Sequence, residues 1–302
     1  MVTSQAATGH GIRQATPFVL ARRIVRGLAR GGDVVACATL PGHARTALAL
    51  ATSPDACMRD LVGLLERDPM LAGAVLGTAR SARYATGARP PATLRDAAMR
   101  LGLDGLRPLL LEAVAAAYVF TGPDRRIVAE IFEHSVRIAH LCQGIVRLVP
   151  PAAAGAPWQD PDIRCEAFAC GLFHDVGRVV VHAALRSAGE VADAATARAV
   201  ADVAHADAGA LVAARWGLSP TVIEAVERHH GLLPELDRGG PCVWHAGHLV
   251  ALAERISEHV DRHGVDALGD DADSWPLPWP SLLEDAHTAV RLARFVRSVV
   301  AP

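Results

Sequence analysis

The chain has 302 residues, of which 51% are hydrophobic and 21% are charged, and its formal net charge is −2. This composition indicates a globular protein with a substantial core, and the near-neutral charge excludes the broad basic surface that direct binding of nucleic acid requires. We see no secretory signal and no apolar run of transmembrane length. The six cysteines, none of them in a CxxC pair, are therefore expected to be reduced, buried thiols in the cytoplasm.

Helical periodicity runs through nearly the whole chain, and no segment shows the alternation of a strand, so we predict an all-α, multi-helix bundle. Helix-entry signals at Asp68-Pro69, Thr93 and Ser219-Pro220 support individual starts. In chain order, the predicted starts lie near Pro17, His43, Met58, Pro69, Thr93, Asp104, Asp124, Asp162, Val200, Ser219, Val243 and Ser281.

The first predicted helix is basic and amphipathic. One interpretation is a helix that lies on a membrane or a partner. The favoured interpretation is a surface helix that docks on the body of the protein through one apolar face. The basic residues are Arg13, Arg22, Arg23, Arg26 and Arg30, and the apolar face comprises Val19, Leu20, Ile24 and Leu28.

Three segments rich in proline, glycine or acidic residues interrupt the helical pattern, at 150–161, 232–241 and 264–280. The last contains Trp275 and Trp279, which are predicted either to cover a pocket or to mediate self-association. The predicted parts are an N-terminal extension at 1–34, a helical N-terminal subdomain at 35–122, a helical core at 123–263, and a linker with a C-terminal helix at 264–302.

Histidines interrupt the apolar faces of several predicted helices. His134 lies within the apolar stripe of 124–148, His205 within that of 200–216, and His229-His230 end the stripe of 219–230. His174 and Asp175 follow one another inside a long apolar run, as neighbouring positions on one predicted helix. An ionisable pair is costly there without a partner or a metal. Each histidine alone is most simply a core residue with a hydrogen-bond partner. Together, imidazoles and a carboxylate from separate helices predict a metal site that suits Fe, Mn, Zn or Ni better than Mg or Ca.

A further carboxylate comes from the predicted helix at 243–260. Glu254 is nine residues from His245, nearly opposite it at about 100° per residue, and it shares a face with Val243 and Val250. We therefore expect Glu254 to point inward and His245 and His248 to be solvated, so those two histidines are left out of the site. Glu130, one turn before His134, is read as a ligand in one alternative and as an ordinary surface acid in the favoured one.

The ordered set resembles the HD superfamily of metal-dependent phosphohydrolases, whose pattern is His…His-Asp…Asp on a helical core. From about residue 35 to 258 the chain more closely resembles the HDOD domain, the "HD-related output domain" of bacterial signalling proteins. Arg80 stands where that family usually has Asn, and Glu254 where it usually has Asp. The matching segments are LERDPMLAGAVLGTARSARY (65–84), TLRDAAMRLGLDGLRPLLL (93–111), EHS (133–135), FHDVGR (173–178), HADAGALVAARWGL (205–218), ERHH (227–230) and VALAERI (250–256).

The resemblance implies a metal-capable HD-type core with one or two divalent ions, Fe or Mn first among them. His134, His174 and Glu254 would hold the first ion, and Asp175 would bridge to a second ion. His205 and either His229 or His230 would hold that second ion, and Asp175 would also take part in catalysis. Arg178, one turn after His174, would clamp a phosphate oxygen; a surface arginine at a helix start is the alternative.

Two functions follow from the resemblance. The favoured one is a signal-transduction output protein that acts mainly by binding an unidentified signalling partner, with its input supplied by another chain or by a ligand. The alternative is a phosphohydrolase or phosphodiesterase acting on a nucleotide or a cyclic dinucleotide. The substrate-contacting loop of the related GYP-type phosphodiesterases has no counterpart in WGLSP at 216–220, which favours the first.

Overall fold

The computed structural model describes residues 16–31, 40–80, 91–122, 124–149, 160–189, 193–230, 245–268 and 286–300. Within these ranges every regular element is a helix, which confirms the all-α prediction. The helices are α1 (Pro17–Ala29), α2 (Gly42–Thr52), α3 (Met58–Leu65), α4 (Pro69–Ala79), α5 (Leu94–Val114), α6 (Arg125–Leu148), α7 (Pro161–Phe173), α8 (Val176–Ser187), α9 (Ala194–Trp216), α10 (Pro220–Arg228), α11 (Ala246–His263) and α12 (Ala286–Val300).

Most predicted starts agree with the structure to within a few residues, and one differs for an identifiable reason. α9 begins at Ala194 because the Asp193 side chain accepts a hydrogen bond from the N–H of Thr196, and the start predicted near Val200 is therefore late. The starts predicted at Thr93 and Asp104 correspond to the two halves of α5, which are separated by the non-helical backbone of Gly102. Gly102 has φ +63°, a conformation that glycine adopts without a steric penalty.

The basic first helix docks on the body of the protein. α1 packs along α9 and also contacts α8, and Leu20, Ile24 and Leu28 are buried in the common core. The Arg215 guanidinium of α9 donates to the Leu28 carbonyl at the end of α1. The predicted apolar face is therefore correct except for Val19, which is 52% exposed.

The helices that carry the candidate site pack with unusually close backbones. A Cβ atom built on Gly177 of α8 would lie 1.9 Å from the His205 carbonyl oxygen of α9. A Cβ on Gly171 of α7 would lie 2.6 Å from Cα of Ala139 on α6. Only glycine permits these contacts, so the two residues set the spacing of the helices that meet beside His174 and Asp175.

One stretch, Pro161–Ser187, is apolar and long enough to cross a membrane by composition alone, with a mean hydropathy of 1.3 over its most apolar window. That window is 83% buried inside the fold, and the stretch consists of two helices, α7 and α8. Its apolar character therefore reflects burial in the helical core. α12 packs against α6, so the C-terminal helix also lies on this core.

Several sequence predictions fall on residues outside the described ranges. These include the roles of Arg13, Trp275 and Trp279 and the helix start at Ser281. Among the described cysteines, Cys142 and Cys170 are buried free thiols, as predicted. Cys57 and Cys165 are exposed free thiols, so the prediction of burial is wrong for these two.

Candidate metal centre

The His-Asp pair lies at a junction between two helices. α7 ends at Phe173, His174 forms its C-terminal cap, Asp175 has φ −102° and ψ 11°, and α8 begins at Val176. The expectation that both residues sit on one continuous helix is therefore wrong. The break lets both side chains turn toward the same interior space, and both residues are buried, at 0% and 5% exposure.

Three histidines of this space are oriented by the backbone. Nδ1 lies 2.7 Å from the Gly171 carbonyl in His174, 2.8 Å from the Ala201 carbonyl in His205 and 2.9 Å from the Val226 carbonyl in His229. A carbonyl only accepts, so each Nδ1 carries the proton, and each Nε2 is left with a free lone pair in the neutral ring. This is the outer-shell arrangement that orients histidine ligands toward a metal.

These Nε2 atoms converge on Asp175. Oδ1 of Asp175 is 3.4 Å from Nε2 of His205 and 3.8 Å from Nε2 of His229, and Oδ2 is 3.7 Å from Nε2 of His174. Nε2 of His230 is 2.7 Å from Nε2 of His205. Asp175 thus stands between His174 on one side and the histidines of α9 and α10 on the other.

Glu254 of α11 points inward, as the helical wheel predicts. Its Oε1 lies 3.4 Å from Nε2 of His174 and 3.9 Å from Nε2 of His134 on α6. The Glu254 side chain is 19% exposed and that of His134 is 31% exposed, so this edge of the cluster opens toward solvent. All seven residues predicted as metal ligands lie in one cluster, which we call the HD pocket: His134, His174, Asp175, His205, His229, His230 and Glu254.

The polar atoms of the HD pocket fit a divalent metal. Nε2 of His174 and Oδ1 of Asp175 are fully buried and form no hydrogen bond with the described residues, a costly arrangement unless a cation binds them. Nitrogen and carboxylate donors together suit Fe, Mn or Zn. The residues form three overlapping groups whose ligand atoms lie within 4.8 Å of one another: Asp175, His205, His229 and His230; His134, His174 and Asp175; and His174, His229 and Glu254.

The electrostatics of the pocket keep its carboxylates ionised. Burial alone would raise the pKa of Asp175, but His174, His229, Arg178 and His205 outweigh it and hold that pKa well below the usual value. Burial also opposes ionisation of Glu254, but contacts with His134 and His174 lower its pKa.

The pKa values of the pocket histidines shift in two directions. Burial lowers the pKa of His205 to about 4, and burial followed by the charge of His229 lowers that of His230. Burial of His174 acts the same way, but Asp175 and Glu254 outweigh it and raise its pKa. Neutral His205 and His230 with ionised carboxylates are the protonation states in which such side chains bind metal.

Arg178 is engaged by two carboxylates. Its Nε donates to Oδ2 of Asp175 at 2.7 Å, and its Nη1 donates to Oδ1 of Asp202 at 2.5 Å. The guanidinium thus fixes Asp175 from outside the pocket, and a phosphate oxygen would have to bind its remaining N–H groups. Sequence reasoning missed Asp202; its position one turn before His205 on α9 was the available signal.

Three other polar residues considered from the sequence lie outside the HD pocket. Glu130 is a surface acid that pairs with Arg126 at 2.9 Å. His245 and His248 are outside it as expected, but the prediction that they are solvated is wrong, because they are 7% and 1% exposed. His245 precedes α11 as its N-cap, and its backbone N–H donates to Nδ1 of His248 at 3.2 Å.

Comparisons with known proteins agree with this architecture. A family model described as the HDOD domain matches residues 37–232. An uncharacterized protein of Treponema pallidum (strain Nichols) is 27% identical over 190 residues, which are 60% of this chain and 35% of that protein. The chain therefore spans about a third of the length of this curated relative.

Solved structures show the same fold at low sequence identity. An HDOD domain protein of unknown function from Geobacter sulfurreducens has a TM-score of 0.59 and 21% identity, covering 95% of this chain and 99% of that one. A candidate metal-dependent phosphohydrolase from Shewanella amazonensis SB2B has a TM-score of 0.57 and 16% identity, covering 91% and 99%. A candidate signal transduction protein from Marinobacter aquaeolei VT8 has a TM-score of 0.59 and 18% identity, covering 95% and 66%.

Proposed function

Because the chain belongs to the HDOD family, we propose that it is a bacterial signal-transduction output protein whose HD pocket holds a divalent metal centre. In this proposal the protein acts mainly by binding a signalling partner, and the metal centre stabilises the fold or senses a ligand. The observation that carries the metal centre is the orientation of His174, His205 and His229. Their Nδ1 atoms are committed to backbone carbonyls while their Nε2 atoms converge on Asp175.

The residues divide into two ligand groups that share Asp175. His134, His174 and Glu254 would hold one ion, and His205, His229 and His230 would hold the other, with Fe or Mn as the expected metals. When bound, such a pair of ions supplies Lewis acidity and an activated water. The chain itself contributes a largely buried pocket, ionised carboxylates and the Arg178 guanidinium that orients Asp175.

Partner binding is assigned to the N-terminal helices. None of the seven HD-pocket residues lies on α2, α3, α4 or α5, so these helices are available for another role. The structural likeness to the candidate signal transduction protein from Marinobacter aquaeolei VT8 supports a role in signalling. The fold alone does not specify activity, so the partner must be identified directly.

The first experiment measures metal content. Protein purified from the native host without chelator is expected to contain about two Fe or Mn ions per chain by elemental analysis. Asp175→Asn, which replaces the shared ligand, is expected to remove most of that metal. His263→Gln on the exposed end of α11 is the matched control and should retain it. Absence of metal in the wild-type protein, or equal content in all three proteins, would overturn the proposed centre.

The second experiment tests the output role. Affinity capture from the native host, followed by mass spectrometry, is expected to recover a signalling protein bound to the wild-type chain. The complex of the two proteins should persist when the lysate is diluted. If no partner is recovered and the purified protein turns over a nucleotide at enzyme-like rates, the output role is wrong.

A metal-dependent phosphohydrolase or phosphodiesterase is the second candidate function. The position of Asp175 between two groups of histidines favours it, because two ions sharing a carboxylate can act on both oxygens of a phosphoryl displacement. The solvent-open edge at His134 would admit a substrate. Turnover of a nucleotide or a cyclic dinucleotide with Mn or Fe under anaerobic conditions, lost in Asp175→Asn, would support it. No turnover across the panel in metal-loaded protein would exclude it.

A further inference from the structure

The N-terminal helices enclose a second cavity that shares no residue with the HD pocket. It has a volume of about 920 Å³ and lies between α2, α3, the start of α4 and the helical turn that follows α5. We call it the N-terminal cavity. Its size is within the range of sites that bind small organic molecules, about 300–1,000 Å³.

Asp68 stabilises one wall of this cavity. Its Oδ1 accepts hydrogen bonds from the N–H groups of Met70 and Leu71, at 3.0 and 3.1 Å, and so caps α4. Its Oδ2 accepts the Tyr118 hydroxyl at 3.4 Å and lies 3.7 Å from Nε2 of His43. Both oxygens are therefore compensated, which reduces the repulsion that this carboxylate would exert on a bound anion.

Two rings and two leucines provide a surface for a flat or apolar group. The rings of His43 and Tyr118 meet edge to face with centroids 5.2 Å apart, and the His43 side chain is 53% exposed. Tyr118 lies on a π-helical turn, Ala115–Val119, an uncommon geometry that often occurs at functional sites. Leu50 and Leu64 line the same cavity and are partly buried against the core.

Two arginines line the outer part of the cavity. Arg59 on α3 and Arg67 before α4 are both exposed, and within the described ranges neither takes part in a salt bridge. Asp60 also lines the cavity. Its carboxylate accepts a hydrogen bond from the backbone N–H of Cys57 at 2.9 Å and interacts with the charge of Arg59. Guanidinium groups bind phosphate and carboxylate oxygens through paired hydrogen bonds, so this part of the cavity favours an anionic group.

We propose that the N-terminal cavity is a ligand site for a nucleotide, whose base lies against His43 and Tyr118 and whose phosphate binds Arg59 and Arg67. The ligand is a signal input rather than a substrate, because none of the residues that line the cavity belongs to the HD pocket. The proposal stands apart from the metal centre and survives if the HD pocket proves to bind no metal.

The test is isothermal titration of the full chain with AMP and GMP, with adenosine, guanosine and inorganic phosphate as partial ligands. We expect one nucleotide to bind with 1:1 stoichiometry and each partial ligand to bind more weakly. Arg67→Gln is expected to weaken binding at least about tenfold through loss of a charge-assisted contact. Arg45→Gln, on the exposed face of α2 outside the cavity, is the matched control and should bind like the wild type.

Further variants separate this cavity from the HD pocket and from effects on folding. His43→Ala is expected to weaken nucleotide binding but to leave inorganic phosphate unaffected, and circular dichroism checks that each variant is folded. Asp175→Asn should bind the nucleotide as the wild type does. Absence of nucleotide binding, unchanged affinity in Arg67→Gln, loss of binding in Asp175→Asn, or equal affinity for phosphate and nucleotide would each overturn the proposal.

Discussion

The HD pocket and the N-terminal cavity both gather histidine and carboxylate side chains, but they hold them in different ways. In the HD pocket, His174 and Asp175 are buried, and backbone carbonyls fix three of the imidazoles. In the N-terminal cavity, Asp68 is tied to a helix end, while His43 and the arginines are exposed. The first arrangement suits a small cation that needs fixed ligands, and the second suits a larger molecule that needs space.

The same difference extends to the backbone around each region. Gly171 and Gly177 beside the HD pocket are in contact with neighbouring backbones, whereas Gly63 on the wall of the N-terminal cavity has nothing within 4 Å of a built Cβ. Close helix packing leaves the HD pocket little freedom to change its ligand geometry. The wall of the N-terminal cavity has space beside Gly63 that a ligand could occupy.

The largest expected effect comes from Gly177→Ala. The added methyl group would lie 1.9 Å from the His205 carbonyl oxygen, so α8 and α9 must separate. We expect the free energy of unfolding to fall by about 3 kcal/mol, measured by urea denaturation. An unchanged free energy of unfolding would mean that close backbone packing does not hold the HD pocket.

Arg178→Gln tests the contact between the Arg178 guanidinium and Asp175, which orients that carboxylate in the HD pocket. It removes the positive charge that Asp175 contacts at 2.7 Å, and we expect a loss of about 2 kcal/mol in the unfolding free energy of chelator-treated protein. Arg228→Gln is the control, because Arg228 pairs with Glu224 at 3.5 Å on the surface and such pairs contribute about 0.3–0.5 kcal/mol. Equal effects of the two substitutions would show that the buried pair has no special role.

Gly73→Ala tests the N-terminal helices, and there we expect a gain in the free energy of unfolding in place of the loss expected for Gly177→Ala. Gly73 lies inside α4, and a Cβ there meets nothing within 4 Å. We expect this substitution to stabilise the protein by about 0.5–1 kcal/mol, since alanine loses less backbone entropy than glycine in a helix. Destabilisation in the same urea measurement would mean that the N-terminal helices are as tightly packed as the HD core.

Glu166→Gln is expected to have the smallest effect at a single pH and to change the pH dependence of stability. Burial raises the pKa of Glu166 above 4.5, although its contact with the Ser219 hydroxyl opposes this. A raised pKa in the folded state gives stability that is fully present below pH 4.5 and lost as the pH rises through the folded value.

The measurement for Glu166→Gln is the melting temperature between pH 4 and pH 8. The wild-type value should fall relative to the variant as the pH rises from about 4.5, because glutamine does not ionise. Glu227→Gln on α10, an exposed acid, is the control and should follow the wild type. Parallel curves for Glu166→Gln and the wild type would contradict the assigned burial effect.

The sequence predicted the membership of the HD pocket better than its geometry. Helical spacing was sufficient to find His134, His205 and Glu254, because each interrupts or faces an apolar stripe. The junction at His174-Asp175 was missed, since the apolar pattern continues from α7 into α8 without proline. Asp175 was assigned to the metal site and not recognised as the N-cap of α8. The wheel also misjudged His245, which lies before α11 begins at Ala246. It misjudged His248 as well, which is buried within α11 and accepts a hydrogen bond from the backbone N–H of His245.

The N-terminal cavity could not be predicted from the sequence. The sequence marked Asp68-Pro69 only as a helix start, and nothing in the local pattern links it to Tyr118, which lies far along the chain. Their contact depends on how α5 returns past α2 and α3, and this is a tertiary property. The π-helical turn that presents Tyr118 has no sequence signal of its own.

The order of the ligand-bearing helices along the chain also has a consequence for folding kinetics. α6, α7, α8, α9 and α10 are consecutive, and the pairs α6–α7 and α8–α9 pack extensively as near neighbours in sequence. Contacts of low sequence separation form with little loss of chain entropy, so we expect these pairs in the transition state for folding. α11, which carries Glu254, packs on α6, α7 and α10 and should join later. The carboxylate that closes the HD pocket would then be the last of its residues to reach the native position.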